Sequence, residues 1–313
     1  MKSKLLLAVA LALGVSTSAM AAPTFSLKNT AGWDGSFEIK FTNYEAFLST
    51  DATGATVASL GPSVGAENIG ILRVTSIERQ DGGGAVWQDG DNGAEILGIF
   101  NGIDVASITP VTATDFKVAS TGGILNMYIN PYTSFGAAGA FGQGLLGYGN
   151  ASCTIGTLCY NGISNVAGGG LFLTADFVPG VLDAAGDTTT TVNGDFNALT
   201  TPASGGAQSY LSVTGGSHAA TFDTNGFTFT NNAPADLFSQ NDFCTPGDTG
   251  CVTLAAGGGA PGSGLISDIT ASTDHGWLLK SNDPVRGTIP EPGTLALLGI
   301  GLLGMGFARR RRA

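Results

Sequence analysis

Phe37-Glu38-Ile39-Lys40-Phe41-Thr42 sends its apolar side chains to one face and its polar ones to the other, the period-2 pattern of a strand with one wet side. Leu125-Asn126-Met127-Tyr128-Ile129-Asn130 repeats the pattern, as do Leu171-Phe172-Leu173-Thr174-Ala175-Asp176-Phe177 and Phe227-Thr228-Phe229-Thr230. Less regular apolar runs at 69–77, 94–100, 103–109, 208–214, 219–223, 264–270 and 276–280 bring the total to about a dozen short strands, separated by Gly, Asn, Asp and Thr turns. No stretch sustains a 3.6-residue period, although one or two short helices near Tyr44–Leu48 or Pro234–Phe238 fit the composition there. The alternation predicts an all-β fold, an antiparallel β-sandwich of jelly-roll-like type.

Composition agrees. The chain has 313 residues with 49 Gly, and each interior Gly weakens a helix by roughly 1 kcal/mol relative to Ala. Forty-three per cent of the residues are hydrophobic, 17 of them Phe, which is enough to build a core. Between residues 22 and 289 seven basic side chains face 23 acidic ones, a net charge of −16. A surface so acidic repels phosphate backbones and anionic lipid, so no nucleic-acid partner is expected.

The two ends carry addresses. Met1-Lys2-Ser3-Lys4 is a basic start, Leu5–Val15 an apolar run of 11 residues, and Ala19-Met20-Ala21 a small-x-small cleavage pattern. As a helix that run reaches about 16 Å, too short to span a bilayer. Residues 1–21 read as a signal peptide for the Sec translocon and signal peptidase, leaving 22–289 as the exported body. At the other end Pro290-Glu291-Pro292 precedes an uncharged, mostly apolar span, 293–308, and then Arg309-Arg310-Arg311-Arg312. Such a span is expected to form a short transmembrane helix, with the arginines holding the C-terminus on the cytoplasmic side of the inner membrane. Gly299, Gly301 and Gly304 match a dinucleotide fingerprint, but no strand precedes them and no βαβ unit follows.

These three parts in fixed order resemble the PEP-CTERM sorting signal of Gram-negative bacteria, also named after the C-terminal region of an ice-binding protein. The resemblance covers about residues 289–313, with the signal itself at 290–313, and implies recognition by an exosortase, a membrane-embedded protease that cuts near Pro-Glu-Pro. It further implies a place at the cell surface or in the exopolysaccharide matrix, in biofilm or floc. It does not imply ice binding, since the one dense Thr run, Thr188-Thr189-Thr190-Thr191, is not repeated.

Within the body, Gly-rich stretches at 136–150 and 255–264 read as loops, and a break between two lobes, if the body has two, is expected near 136–170. Four cysteines fall in two local pairs, Cys153 with Cys159 and Cys244 with Cys251. An even count in an exported chain reads as disulfides. Three connectivities are open, and the local pairs are the expected ones.

Chemistry is sparse. Asp89, Asp91 and Glu95 offer hard oxygen ligands in a Gly-rich loop, a candidate Ca²⁺ site, yet the pattern departs from an EF-hand and the commoner reading is a hairpin turn. Trp87 beside that loop is a candidate sugar-stacking residue, as are Trp33, Tyr132, Tyr148 and Trp277, each against the commoner reading of core or rim packing. His218 and His275 have no nucleophile motif near them, so no catalytic residues are assigned. The expectation is an exported, non-enzymatic structural or adhesive matrix protein with no cofactor beyond possible Ca²⁺. A carbohydrate- or Ca²⁺-binding lectin-like module is the alternative, and a glycan-active enzyme the second.

Overall fold

The computed structural model describes residues 23–50, 56–59, 61–132, 168–180, 188–197, 204–228, 234–244, 279–281 and 284–289. Fourteen strands run through them: β1 Ser36–Thr50, β2 Thr56–Ser59, β3 Glu67–Arg79, β4 Ala85–Gln88, β5 Ala94–Pro110, β6 Asp115–Pro131, β7 Gly170–Phe177, β8 Thr190–Asn197, β9 Ser204–Gly215, β10 Phe227–Thr228, β11 Pro234–Ala235, β12 Leu237–Cys244, β13 Leu279–Ser281 and β14 Val285–Thr288. One helical turn, α1 (Ala219–Phe222), lies between β9 and β10.

All but β10 and β11 belong to one antiparallel sheet, and that sheet closes on itself. β1 pairs with β3, β3 with β5, β5 with β6, β6 with β7, β7 with β9, β9 with β12, and β12 with β14, which returns to β1. The result is an eight-position antiparallel barrel, because two positions are each filled by a pair of short strands. β13 and β14 share one register against β1, with Asn43 facing Ser281 and Ser36 facing Thr288, so they are one strand interrupted beside Pro284. β7 and β8 share the gap between β6 and β9 in the same way, β8 against Asp115–Thr121 and β7 against Ile124–Ile129. Closure removes the exposed edges that an open sheet would offer to other chains.

The all-β, antiparallel expectation stands. Where the alternation predicts two facing sheets, the described strands instead form a single sheet joined through β1 and β3. Alternation reports which face of a strand is dry, and the inner wall of a barrel and the inner face of a sandwich share that pattern. The apolar runs at 94–100 and 103–109 are one strand, β5, bent where Gly102 takes a φ of 71°. Two short helices are corrected: Tyr44–Leu48 continues β1, and Pro234–Phe238 supplies β11 and the start of β12. The run at 219–223 is instead the helical turn α1. Strands on either side of residues 133–167 pair directly with each other, β6 with β7. The apolar span 293–308 lies outside the described residues, among which no helix is long and apolar enough to cross a membrane.

The core follows the inward row of β1. Phe37, Ile39 and Phe41 pack with Val74, Ile77, Trp87, Ile96, Phe172 and Phe222 at one end of the barrel. Phe47 packs with Ala66, Val105 and Val118 at the other, with Ile108 and Phe196 partly buried against them. Between the two clusters the same inward row carries Asn43 and Glu45, both buried.

Candidate functional site

The first functional element begins where the barrel ends. β14 stops at Thr288, opposite Ser36 at the start of β1, and Ile289 then donates its backbone N–H to the Gly35 carbonyl at 2.9 Å. Ile289 is also packed against the core cluster at this end of the barrel. The next residues, Pro290, Glu291 and Pro292, lie outside the described residues, as do Arg309, Arg310, Arg311 and Arg312. The stem that precedes them is β14 and Ile289, held to the start of β1.

The acidic loop is built around Arg73. Asp89 accepts from Arg73 Nε at 3.0 Å and from Nη2 at 2.7 Å, while Glu95 Oε2 lies 3.1 Å from the same Nη2. The Tyr132 ring centroid is 5.9 Å from the guanidinium carbon, close enough for cation–π attraction. Arg73 and Glu95 are fully buried. Burial pushes the Asp89 carboxyl above the ordinary carboxylate range, and the charge and hydrogen bonds of Arg73 pull against that rise. Asp91 points elsewhere: it pairs with Lys28 Nζ at 2.7 Å and accepts from the Gln88 backbone N–H at 2.7 Å, closing the turn between β4 and β5. Asn92 in that turn sits at a φ of 54°, a conformation its short polar side chain tolerates. Asp89, Asp91 and Glu95 are thus spread over two cations, and among the described residues no cluster of three metal-ligating side chains forms. Arg73 was not legible as their partner, since it lies 16 residues before Asp89 on another strand.

Trp87 is fully buried in the core cluster, with its indole N–H lacking a partner among the described residues, so it offers no surface to a sugar ring. Trp33 is half-buried against the same cluster and donates its Nε1–H to the Ser36 carbonyl at 2.8 Å. His218 stacks on Phe172 at 4.7 Å and meets Phe25 edge-on at 5.1 Å. Burial lowers its pKa below the ordinary histidine value. Tyr148, Trp277 and His275 lie outside the described residues, as do Cys153, Cys159 and Cys251. Cys244 is the last residue of β12, its backbone opposite Ser204 of β9 and Lys280 of β13.

The barrel interior holds a cavity that the sequence did not announce. Its volume is about 100 Å³. Every one of the eight barrel positions contributes to its wall: Phe41 from β1, Leu72 from β3, Phe100 from β5, Met127 from β6, Phe177 or Val192 from β7 and β8, Leu211 from β9, Leu237 from β12 and Val285 from β14. Set into this apolar wall is a polar belt. Asn43 Nδ2 donates to Glu45 Oε1, and Asn68 Nδ2 donates to Glu45 Oε2 at 3.3 Å. Ser120, Ser209 and Ser239 line the cavity as well. The signal was present in β1, where the inward row Phe37, Ile39, Phe41 continues through Asn43 and Glu45 to Phe47.

Neither the curated proteins nor the solved structures contain a match to this chain. Residues 288–312 match the family model of the PEP-CTERM protein-sorting motif, so the chain carries an exosortase-directed export signal that begins on the last residue of its final barrel strand.

Proposed function

We propose that this chain is an exported, non-enzymatic barrel protein that an exosortase cuts at Pro290-Glu291-Pro292 and delivers to the cell surface or exopolysaccharide matrix, where its role is structural or adhesive. The observation that carries the reading is the junction itself: β14 completes the ring at Thr288 and the sorting motif starts there. A cut after that point leaves every described barrel strand in the released body. Proline at 290 and 292 disfavours helix across the junction, which leaves extended backbone for a protease to grip. A body with −16 net charge stays soluble at high density and resists sticking to anionic envelope lipid.

The test is fractionation of cells making the wild-type chain beside a deletion of Pro290-Glu291-Pro292, in hosts with and without an exosortase. Wild type is expected as a shortened body outside the cell only when the exosortase is present, and the deletion as a full-length, membrane-held chain. A shortened body released from the deletion, or from the host lacking the enzyme, would refute the proposal.

A further inference from the structure

We propose that the barrel cavity is a binding site for a small amphiphile, one aromatic ring or a short aliphatic chain carrying a hydrogen-bond-donating head, an amine or hydroxyl. This is independent of where the chain is delivered. Eight antiparallel strands enclose an interior just wide enough for packed side chains or for one small ligand. Here the side chains do not fill it. The remaining space, about 100 Å³, is smaller than the ~150 Å³ of an apolar cavity that takes benzene, so a ligand must be small and fit closely.

The wall specifies the chemistry. Most of it is Phe, Leu, Ile, Val and Met, which suits a hydrocarbon body. The polar belt sits to one side, between the two apolar clusters. Both Glu45 oxygens are hydrogen-bond acceptors held in place by amide donors from Asn43 and Asn68. Asn68 Oδ1 is a further acceptor, buried and with no partner among the described residues. A buried acceptor without a donor is a cost that a bound N–H or O–H removes. An anionic head brings only acceptors to a belt that offers acceptors, so it gains no hydrogen bond there.

Burial is uneven around the wall. The lining residues beside Ile289, such as Leu211, Leu237 and Val285, are buried, whereas Pro62, Gly194, Asp195, Phe196, Gly206 and Ala207 are in part exposed. The cavity wall is thus least buried along β8 and β9.

The experiment is calorimetric titration of the purified full chain with four matched probes: 2-phenylethylamine, 2-phenylethanol, ethylbenzene and 3-phenylpropionate. The amine and the alcohol are expected to bind saturably at one site, with 3-phenylpropionate at least tenfold weaker than the amine. Ala207→Phe, which adds a ring to the cavity wall, is expected to abolish binding. Glu45→Gln is expected to weaken the amine about tenfold and the alcohol less than threefold, with circular dichroism and thermal melts checking that each variant is folded. If none of the four binds wild type, the site is filled by the chain itself and the proposal is overturned. Equal binding of all four, or a preference for ethylbenzene or the anion, overturns it too, and these comparisons need no variant to fold.

Discussion

Ile289 and Gly35 are joined backbone to backbone at 2.9 Å, which ties the last residue before Pro290 to the turn that opens β1. Gly35 has a φ of 86°, and a Cβ placed there would lie 2.3 Å from the Ile289 carbonyl oxygen. Gly35→Ala therefore meets both backbone strain and a backbone clash, and is expected to destabilise the protein by about 1–3 kcal/mol. Urea unfolding measures the loss, and hydrogen exchange locates it: the amides of β14 should exchange faster while those of β5 and β6 hold. Unchanged exchange in β14 would mean the stem does not depend on this contact.

His218 provides a pH-dependent element. Its ring stacks on Phe172 and meets Phe25 edge-on, and burial lowers its pKa from 6.5. A histidine depressed in the folded state is protonated first in the unfolded chain, so its contribution to stability is complete above 6.5 and is lost as pH falls through that value. His218→Phe keeps a ring in the aromatic cluster and removes the titration. Between about pH 7 and pH 5 the wild-type melting temperature should fall relative to that of the variant. Parallel curves would show that His218 titrates alike in both states.

Gly70 is a shape requirement inside the barrel. The Phe100 ring lies over it, and a Cβ at position 70 would fall 2.2 Å from Phe100 Cζ. Gly70→Ala should cost about 1–3 kcal/mol through overpacking. Phe100→Leu gives the methyl room, so the double variant should lose less than the sum of the two single changes. A double-mutant cycle reads that coupling, expected at about 0.5–3 kcal/mol, and strict additivity would place the ring elsewhere.

The inner row of β1 shows how far local sequence carries. Phe37, Ile39 and Phe41 declare a dry face by alternation alone. Asn43 and Glu45 then break the apolar pattern while keeping the same face, and Tyr44, Phe47 and Leu48 fall at the spacing of a helical turn. Pairing with β3, from Glu38 opposite Glu78 to Leu48 opposite Glu67, and with β13 and β2 on the other side holds the segment extended. The β3 pairing is non-local, and so is the closure that makes a barrel from the strand pattern. The C-terminal signal was legible for the opposite reason: its proline pair, apolar span and arginines act through local chemistry in fixed order. In the acidic loop, residue types and turn were readable, but the cation that holds two of the three carboxylates arrives from β3.

Arg73 is the residue on which that loop turns. It is buried between Asp89 and Glu95, so its removal leaves two carboxylates enclosed without the cation that now faces them. Breaking a buried pair in this way typically costs about 3–5 kcal/mol, and Arg73→Met is expected in that range near neutral pH by urea unfolding. The deficit should shrink as pH falls, because protonating the stranded carboxyls removes the buried charge, the opposite slope to that of a protein losing a healthy ion pair in acid. Arg73→Lys should cost less, since it keeps the charge but cannot fork onto Asp89 through two nitrogens. Calcium separates the two readings of this loop. With the guanidinium seated against both carboxylates, millimolar Ca²⁺ should leave the wild-type midpoint where it is, and a rise that Asp89→Asn abolishes would mean that a metal displaces Arg73 from its partners.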